Sequence, residues 1–148
     1  MIDIKPNHIL QLLEQEYGPV AWEPRYDPIS ELVFTVLSQH TSDLNSEKAY
    51  SRLLATFGSW DAVAQANTDA IVKPIKIGGL ARTKAPRIKA ILQKIIELRG
   101  SLDIGFLKDI PLSESKYWLN QLPGVGPKTA AVVLCFAFGL PAMPVDTH

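Results

Sequence analysis

A glycine-rich turn places one lysine at the start of an apolar helix. In the segment Leu122–Ala130, which reads LPGVGPKTA, Gly124 and Gly126 form a turn without side chains, and Pro127 suits the first helical position. Lys128 then falls in the first turn, where the helix dipole is positive and disfavours a cation. A lysine held there and partly shielded from water is suited to act as a neutral, nucleophilic amine. The same helix start offers backbone N–H groups to an anion such as phosphate. The alternative is that Lys128 extends into water, as most surface lysines do.

A carboxylate further along the sequence can return to this lysine. The apolar helix is expected over residues 127–138, a length of about 18 Å, and Gly139 is expected to end it. Two prolines follow and favour extended backbone, so the segment from Gly139 to Asp146 can reach about 26 Å. The sequence therefore allows Asp146 to lie beside Lys128 as a catalytic partner. Alternatively, Asp146 or Thr147 caps a following helix.

The rest of the pattern predicts an all-α fold, a compact multi-helix bundle with a helix–hairpin–helix motif. Apolar residues recur at helical spacing, and no stretch alternates as a strand would. Asp27-Pro28 is expected to open one helix, and the segment Thr41-Ser42-Asp43 is expected to cap the next. A long basic helix is expected from about Arg82 to Arg99, and Ser113 is expected to cap the helix that leads into the hairpin. The connections are short, as in helical bundles.

Charge is segregated along the chain although the net charge is zero. Residues 1–72 carry four basic and ten acidic side chains, a net charge of −6. Residues 73–99 carry eight basic and one acidic side chain, a net charge of +7, and residues 100–148 carry three basic and four acidic, a net charge of −1. This segregation predicts a positive face for a polyanion. A solvated helix face that is rich in lysine is the alternative.

Composition excludes several classes of site. A single cysteine, Cys135, excludes an internal disulfide and a multi-cysteine metal site within these residues, and its apolar neighbours predict a buried thiol. No apolar run is long enough to cross a bilayer, and residues 1–10 do not form a signal peptide. We therefore expect no metal site, no membrane partner and an intracellular location. Trp22, Trp60 and Trp118 are expected in the core, and stacking on DNA bases is the alternative.

These residues resemble the helix–hairpin–helix Gly/Pro/Asp DNA glycosylase superfamily, and within it the endonuclease III branch. The hairpin LPGVGPKTA, Phe138-Gly139 and the final Val145-Asp146-Thr147-His148 resemble the family motifs, and the 18 residues from Lys128 to Asp146 match its spacing. Two weaker matches lie upstream, in LSQHTSD at 37–43 and in IGGLARTKA at 77–85. The resemblance covers the chain from about residue 28 to the end.

The resemblance implies base-excision repair of double-stranded DNA. The family flips a damaged or mismatched base out of the duplex into a pocket between two helical lobes. By analogy, Lys128 attacks the sugar C1′, displaces the base and forms a Schiff base, and β-elimination then cuts the strand. Asp146 activates the lysine or stabilises the cationic sugar. The implied protein is a bifunctional glycosylase and AP lyase for pyrimidines, a monomer when full length, in the cytoplasm with the nucleoid.

The resemblance also implies that the hairpin holds a DNA phosphate through its backbone N–H groups. The hairpin residues in that role are Gly124, Val125, Gly126 and Thr129. In the family a monovalent cation often lies on nearby carbonyl groups, and one is possible here. No other cofactor is expected within this chain.

Two further segments resemble the family elements that enter the duplex. His40, preceded by Gln39, lies where a polar side chain fills the gap left by the extruded nucleotide; a histidine at a capped helix end is the alternative. Leu80 resembles the leucine wedge that separates bases on the opposite strand, although a lone exposed leucine is usually ordinary surface. Arg82 and Lys84 are then expected to contact phosphates, which position the protein without specifying sequence.

The family's second lobe combines an N-terminal helix with C-terminal helices that often carry four cysteines around an iron–sulfur cluster. We expect residues 1–20 to be the N-terminal helix of that lobe, incomplete here. Residues 21–138 are expected to form the core lobe, with the helix–hairpin–helix at 112–138, and residues 139–148 the return segment with Asp146. Since the sequence stops after a cap signal, a C-terminal truncation is expected, and any cluster ligands would lie beyond His148. Exposed apolar surface and weak or absent activity are expected for the chain alone, with its hairpin intact.

Two other functions stay open from the sequence. One is a non-catalytic helix–hairpin–helix DNA-binding module, a class that usually lacks the lysine–aspartate pair. The other is an oxidised-purine glycosylase of the same superfamily, which shares both residues.

Overall fold

A computed structural model describes residues 5–145. Helices account for all the regular structure in this range, which confirms the expected all-α fold. The α-helices are α1 (Pro6–Tyr17), α2 (Pro28–Ser38), α3 (Asp43–Phe57), α4 (Trp60–Gln65), α5 (Thr68–Ile75), α6 (Ala81–Arg99), α7 (Leu112–Asn120) and α8 (Pro127–Phe138). Short 3-10 turns at Lys76–Gly78 and Gly105–Lys108 connect them.

Local capping sets most of the helix boundaries. The Asp27 carboxylate accepts hydrogen bonds from the N–H groups of Ile29 and Ser30, both at 3.1 Å, and so begins α2. Helix α8 has the predicted bounds and ends at Gly139, which has a φ of 66°. The expected cap at Ser113 is wrong: the N-cap residue is Pro111, two residues earlier, and Ser113 lies inside the first turn of α7.

Helix α2 lies at the centre of the bundle. It packs against α3, α6 and α8, and eight of its 11 residues are buried. Leu32, Leu37, Val133 and Leu134 are fully buried there. Helix α6 packs its other side against α4 and α5. The end of α2 lies beside the start of α6, where Lys84 bonds to the Leu37 carbonyl, and beside the start of α8, with which it lines one cleft.

Helix α1 differs from the rest because it buries none of its residues. Its apolar side chains are at least two-fifths exposed, from 44% at Ile9 to 78% at Tyr17. An apolar face without a partner is expected for a helix that belongs to another lobe. The assignment of residues 1–20 to such a lobe stays a prediction.

Two expectations about the core need correction. Trp22 is 52% exposed, and its ring lies over Gly139, where an added Cβ would be 3.1 Å from the indole. Cys135 is half-buried, because it lies at the edge of the buried face of α8. Trp60 and Trp118 are also only half-buried, although both pack against the core.

Candidate functional site

The hairpin between α7 and α8 presents backbone N–H groups at the start of α8. Gly124 has a φ of 73°, a left-handed conformation that costs a residue with a Cβ about 1–2 kcal/mol. The first hydrogen bond of α8 runs from the Ala130 N–H to the Gly126 carbonyl, at 2.9 Å. N–H groups before Ala130, including that of Thr129, therefore point out of the helix end. With the helix dipole, they form a surface suited to an anion.

Val125 has a different role from the one expected. Its side chain is buried, and its N–H donates to the Leu122 carbonyl at 3.1 Å within the turn. The N–H of Val125 is thus used to close the hairpin, so its assignment as a phosphate donor is corrected. Thr129 is also largely buried, and it lines the same cleft as Lys128.

Lys128 lies on a cleft between the end of α2 and the start of α8. Its side chain is exposed. The cleft has a volume of about 430 Å³ and brings together side chains from three parts of the sequence. It is lined by Arg25, Phe34, Thr35, Ser38, Gln39, His40, Asp43, Lys128, Thr129 and Val132. Two segments that the sequence suggested separately, the Gln39-His40 turn and the lysine hairpin, therefore share one cleft.

The return segment after α8 runs back to the first turn of that helix. The Leu140 N–H donates to the Leu134 carbonyl at 3.1 Å, and Ala142 is buried. Val145 then lines a second cleft together with Pro127 and Lys128. Asp146, like Thr147 and His148, lies outside the described residues, so its pairing with Lys128 stays a prediction.

His40 and Gln39 are presented differently although they are neighbours. The Gln39 side chain accepts a hydrogen bond from the Arg87 guanidinium on α6, at 2.9 Å. His40 is exposed and has a φ of 54°, which is uncommon for a residue other than glycine. The turn therefore holds Gln39 against the protein and directs His40 outward.

Leu80 has the same unusual backbone as His40, with a φ of 50°. It precedes α6 as its N-cap residue and is 54% exposed. A groove of about 740 Å³ lies beside it, and the cationic residues Lys73, Lys76 and Arg82 line this groove. An exposed leucine among cations is the arrangement that an apolar wedge into DNA requires.

The expected phosphate contact from Lys84 is wrong. Lys84 is only 2% exposed, and its ammonium donates to the carbonyls of Leu37, at 2.7 Å, and Gly78, at 2.8 Å. Burial lowers the pKa of the Lys84 ammonium below its usual value. Its donors face backbone inside the bundle, so the side chain cannot reach a phosphate on the surface.

The positive charge of residues 73–99 is therefore only partly available to a polyanion. Besides the burial of Lys84, Lys94 pairs with Glu97 at 2.9 Å. The Arg99 guanidinium lies 4.1 Å from the ring centroid of Phe106. The exposed cations near Leu80 are the part of this segment that fits a DNA strand.

An ion pair that the sequence analysis missed forms one wall of the Lys128 cleft. Arg25 donates to both oxygens of Glu31, one of them at 3.1 Å, and its guanidinium lies 4.5 Å from the ring centroid of Phe34. Glu31 is fully buried. The available signal was the position of Glu31 on the apolar face of α2, since a carboxylate buried there requires a cation.

Residues 5–145 form neither a metal-ion site of acidic, histidine or cysteine side chains nor a membrane-spanning helix. In that range no group of three or more His, Cys, Asp or Glu side chains is arranged to hold a metal ion. No helix among the described residues is long and apolar enough to span a membrane. With one cysteine in the sequence, this chain does not supply the four thiolates that an iron–sulfur cluster needs.

Comparison with known proteins gives consistent matches. Residues 33–148 match the family described as HhH-GPD superfamily base excision DNA repair protein. A putative DNA glycosylase of Arabidopsis thaliana is 43% identical over 117 residues, which are 79% of this chain and 40% of that protein. Endonuclease III of Thermotoga maritima is 38% identical over 122 residues, 82% of this chain and 53% of that protein.

A solved structure of a trapped endonuclease III–DNA covalent intermediate is also similar. Its TM-score is 0.73 at 28% identity, over 96% of this chain and 63% of that one. The chain thus spans about half the length of the curated relatives it matches.

Proposed function

This chain belongs to the HhH-GPD superfamily of base excision DNA repair proteins, and from that membership we propose that it removes damaged or mismatched pyrimidines from duplex DNA as a glycosylase with AP lyase activity. The observation that carries the proposal is the position of Lys128. It lies in the first turn of α8, directly after the glycine hairpin, in one cleft with the Gln39-His40 turn. A DNA strand held by the hairpin would present an extruded nucleotide to this amine.

The proposed chemistry uses Lys128 as a nucleophile. Its nitrogen lone pair attacks the sugar C1′, and the base leaves with the electrons of the glycosidic bond. Asp146, as a carboxylate, stabilises positive charge on the sugar and then accepts the proton that the nitrogen loses, while water protonates the departed base. Transfer of that proton from Asp146 to the ring oxygen breaks the bond between C1′ and O4′, and the nitrogen lone pair forms the protonated Schiff base. Loss of a C2′ proton then expels the 3′ phosphate, and water releases the lysine.

The hairpin is proposed to bind the phosphate of the damaged strand. Its donors are the N–H groups of Gly124, Gly126 and Thr129, supported by the dipole of α8. A monovalent cation at the hairpin is also proposed, because a carbonyl oxygen keeps a second lone pair after it has accepted a hydrogen bond, and oxygen is the ligand that hard cations prefer. Weaker DNA binding in choline chloride than in potassium chloride of equal ionic strength would support the cation, and equal binding would contradict it.

The two exposed turns are proposed to enter the duplex. His40, beside Gln39, would fill the space of the extruded nucleotide, and Leu80 would separate bases on the opposite strand. Arg82 would contact a phosphate near Leu80. The outward position of His40 and Leu80, each on a strained backbone, supports these roles.

Borohydride trapping on a duplex with an abasic site tests the lyase. We would use the 148-residue chain and, in parallel, the same chain continued by the C-terminal half of the Thermotoga maritima relative, since the chain alone is expected to be weakly active. A covalent adduct that Lys128→Ala abolishes is expected. If both proteins bind the duplex and neither gives an adduct, a non-catalytic DNA-binding module is the correct assignment.

A substrate panel tests the base preference. The duplexes carry an oxidised pyrimidine, a mismatched thymine or an oxidised purine. Release of the pyrimidine bases is expected, and selective release of the purine would favour the oxidised-purine alternative. The protein is proposed to act as a monomer on DNA in the cytoplasm, associated with the nucleoid.

A further inference from the structure

The first turns of helix α6 connect the elements that are proposed to face DNA. Lys84 and Arg87 are three residues apart, so they lie on one face of the helix. Leu80 is the exposed residue at the start of the helix. The other two reach inward, toward the end of α2 and the hairpin.

The Lys84 ammonium joins the two turns that present His40 and Leu80. One of its acceptors is the Leu37 carbonyl, in the last turn of α2 and three residues before His40. The other is the Gly78 carbonyl, two residues before Leu80. Both oxygens are within 2.8 Å of one nitrogen, so the two turns are held at a fixed separation.

Both turns need such support because their backbones are strained. Among the non-glycine residues from 5 to 145, only His40, Leu80 and Met143 have positive φ values. Conformations of this kind persist only where surrounding contacts enforce them. Gly78 supplies one contact by packing closely on α3, where an added Cβ would lie 3.2 Å from the Ala49 Cβ.

The two hydrogen bonds of Lys84 account for a lysine at a buried position. Lys84 is almost fully buried, and its hydrogen bonds go to neutral carbonyls rather than to a carboxylate. Desolvation of an ammonium is costly, but an apolar side chain in its place would leave both carbonyls without donors. One ammonium carries three N–H donors, so it can hold both carbonyls at once.

Arg87 extends the arrangement to the hairpin. Its guanidinium donates to Gln39 at 2.9 Å, and its side chain covers Gly124, where an added Cβ would lie 2.9 Å from the Arg87 Nε. The Gln39-His40 turn is therefore connected to the hairpin as well as to the turn that holds Leu80.

We propose that Lys84, assisted by Arg87, is a positioning residue that fixes the separation between the His40 turn and the Leu80 turn, so that both side chains enter the duplex together. The inference rests on the proposed function, because it requires these turns to meet DNA. It assigns Lys84 no contact with DNA.

Fluorescence of 2-aminopurine, placed opposite an abasic analogue in a duplex, tests the proposal. The probe brightens when its base is unstacked, so it reports insertion separately from binding. For Lys84→Met at saturating protein, we expect most of the brightening to be lost. The dissociation constant should change by less than about threefold, since phosphate contacts dominate affinity. Lys84→Arg, which restores donors, should recover part of the signal, and Lys94→Met should behave as wild type.

Further variants show whether a lost signal contradicts the inference about Lys84 or the proposed insertion into DNA. Leu80→Ala should also remove the brightening, and adding Lys84→Met to it should change nothing more, since residues that act through one element are not additive. Brightening by Lys84→Met equal to wild type overturns the inference and leaves the proposed function intact. DNA binding without brightening in wild type overturns both the insertion step and the inference.

Circular dichroism melting checks the fold of each variant. If Lys84→Met does not fold, Arg87→Met is the second test, since it breaks the bond to Gln39 and leaves the Lys84 bonds in place. Arg87→Met should reduce the brightening even when all the DNA is bound by protein. Brightening equal to wild type would contradict the proposal.

Discussion

The starts of α8 and α6 each carry a lysine within four residues, and the two lysines meet opposite environments. Lys128 is exposed on a cleft beside a turn built from glycines. Lys84 is 2% exposed and bonded to two carbonyls. The start of α8 faces solvent, whereas the fourth residue of α6 faces the end of α2. The same residue type therefore serves as a candidate nucleophile in one region and as an internal support in the other.

The largest expected effect separates the two lysines by chemistry. Lys128→Ala should reduce the borohydride adduct by at least about 10³-fold, because the covalent bond is made by its nitrogen. Lys84→Met should keep the adduct within about tenfold of wild type, since a misplaced nucleotide slows but does not remove the reaction. Quantification of the adduct on denaturing gels checks both. Equal losses of adduct in the two variants would contradict the assignment of Lys128 alone as the nucleophile.

Replacement of Lys84 should lower the stability of the fold more than replacement of Lys128, the reverse of their effects on the adduct. Lys84→Ala is expected to lower the free energy of unfolding by about 2–4 kcal/mol, because it leaves a cavity and two carbonyls without donors. Lys128→Ala, at an exposed position, should change it by less than about 0.5 kcal/mol. Urea denaturation at neutral pH measures both values. A larger loss for Lys128→Ala than for Lys84→Ala would show that the burial assignments are wrong.

The hairpin glycines offer a matched pair for the next test. Gly124→Ala should cost about 1–2 kcal/mol of stability because its φ of 73° disfavours a Cβ, and the new methyl group would displace Arg87 from Gln39. Gly126→Ala should cost less, since its φ is −97° and nothing lies within 4 Å of the added Cβ.

DNA binding should distinguish the two glycine variants further. Gly126→Ala is expected to weaken binding while leaving the melting temperature nearly unchanged, because the hairpin backbone must approach the phosphate closely. Gly124→Ala should lower both the affinity for DNA and the melting temperature. Fluorescence anisotropy and thermal melting supply the two measurements, and unchanged affinity in Gly126→Ala would argue against the hairpin as the phosphate site.

The smallest expected effect is a pH dependence that comes from Lys84. Its pKa in the folded protein is lowered by burial, so between that value and the unfolded pKa of about 10.5 the unfolded chain binds more protons. The free energy of unfolding of wild type, relative to Lys84→Met, should therefore rise with pH in that window and level off above it. Urea denaturation from pH 7 to 11 measures this difference. A constant or falling difference would contradict the assigned ionisation.

Features that depend on neighbours in sequence were predicted well, with the exception of the cap at Ser113. The bounds of α8, the cap at Asp27 and the closing Gly139 follow from local backbone chemistry, which needs no tertiary contact. The return of the chain toward Lys128 was predicted from reach alone, and the position of Val145 agrees with it. The catalytic role of Asp146 has not been tested in the same way, because the described residues end before it.

Features that depend on which side of a helix faces the core were predicted poorly. Lys84 and Arg82 are two residues apart on α6, and the charge pattern could not tell that one points inward and the other outward. Val125 was grouped with the glycines of the hairpin, although its N–H closes the turn. The pairing of Arg25 with Glu31 was missed although Glu31 lies on the apolar face of α2, because the sequence does not show which cation reaches a buried acid.

Sequence by itself determined the helices, the glycine turn and the presence of a lysine at the start of α8, because capping, proline geometry and φ preferences act within a few residues. Only the tertiary structure decided that the Gln39-His40 turn, Leu80 and the hairpin are linked through one face of α6. Those links join residues up to 48 positions apart. The physical reason is that burial and hydrogen bonding between distant segments depend on how the helices pack.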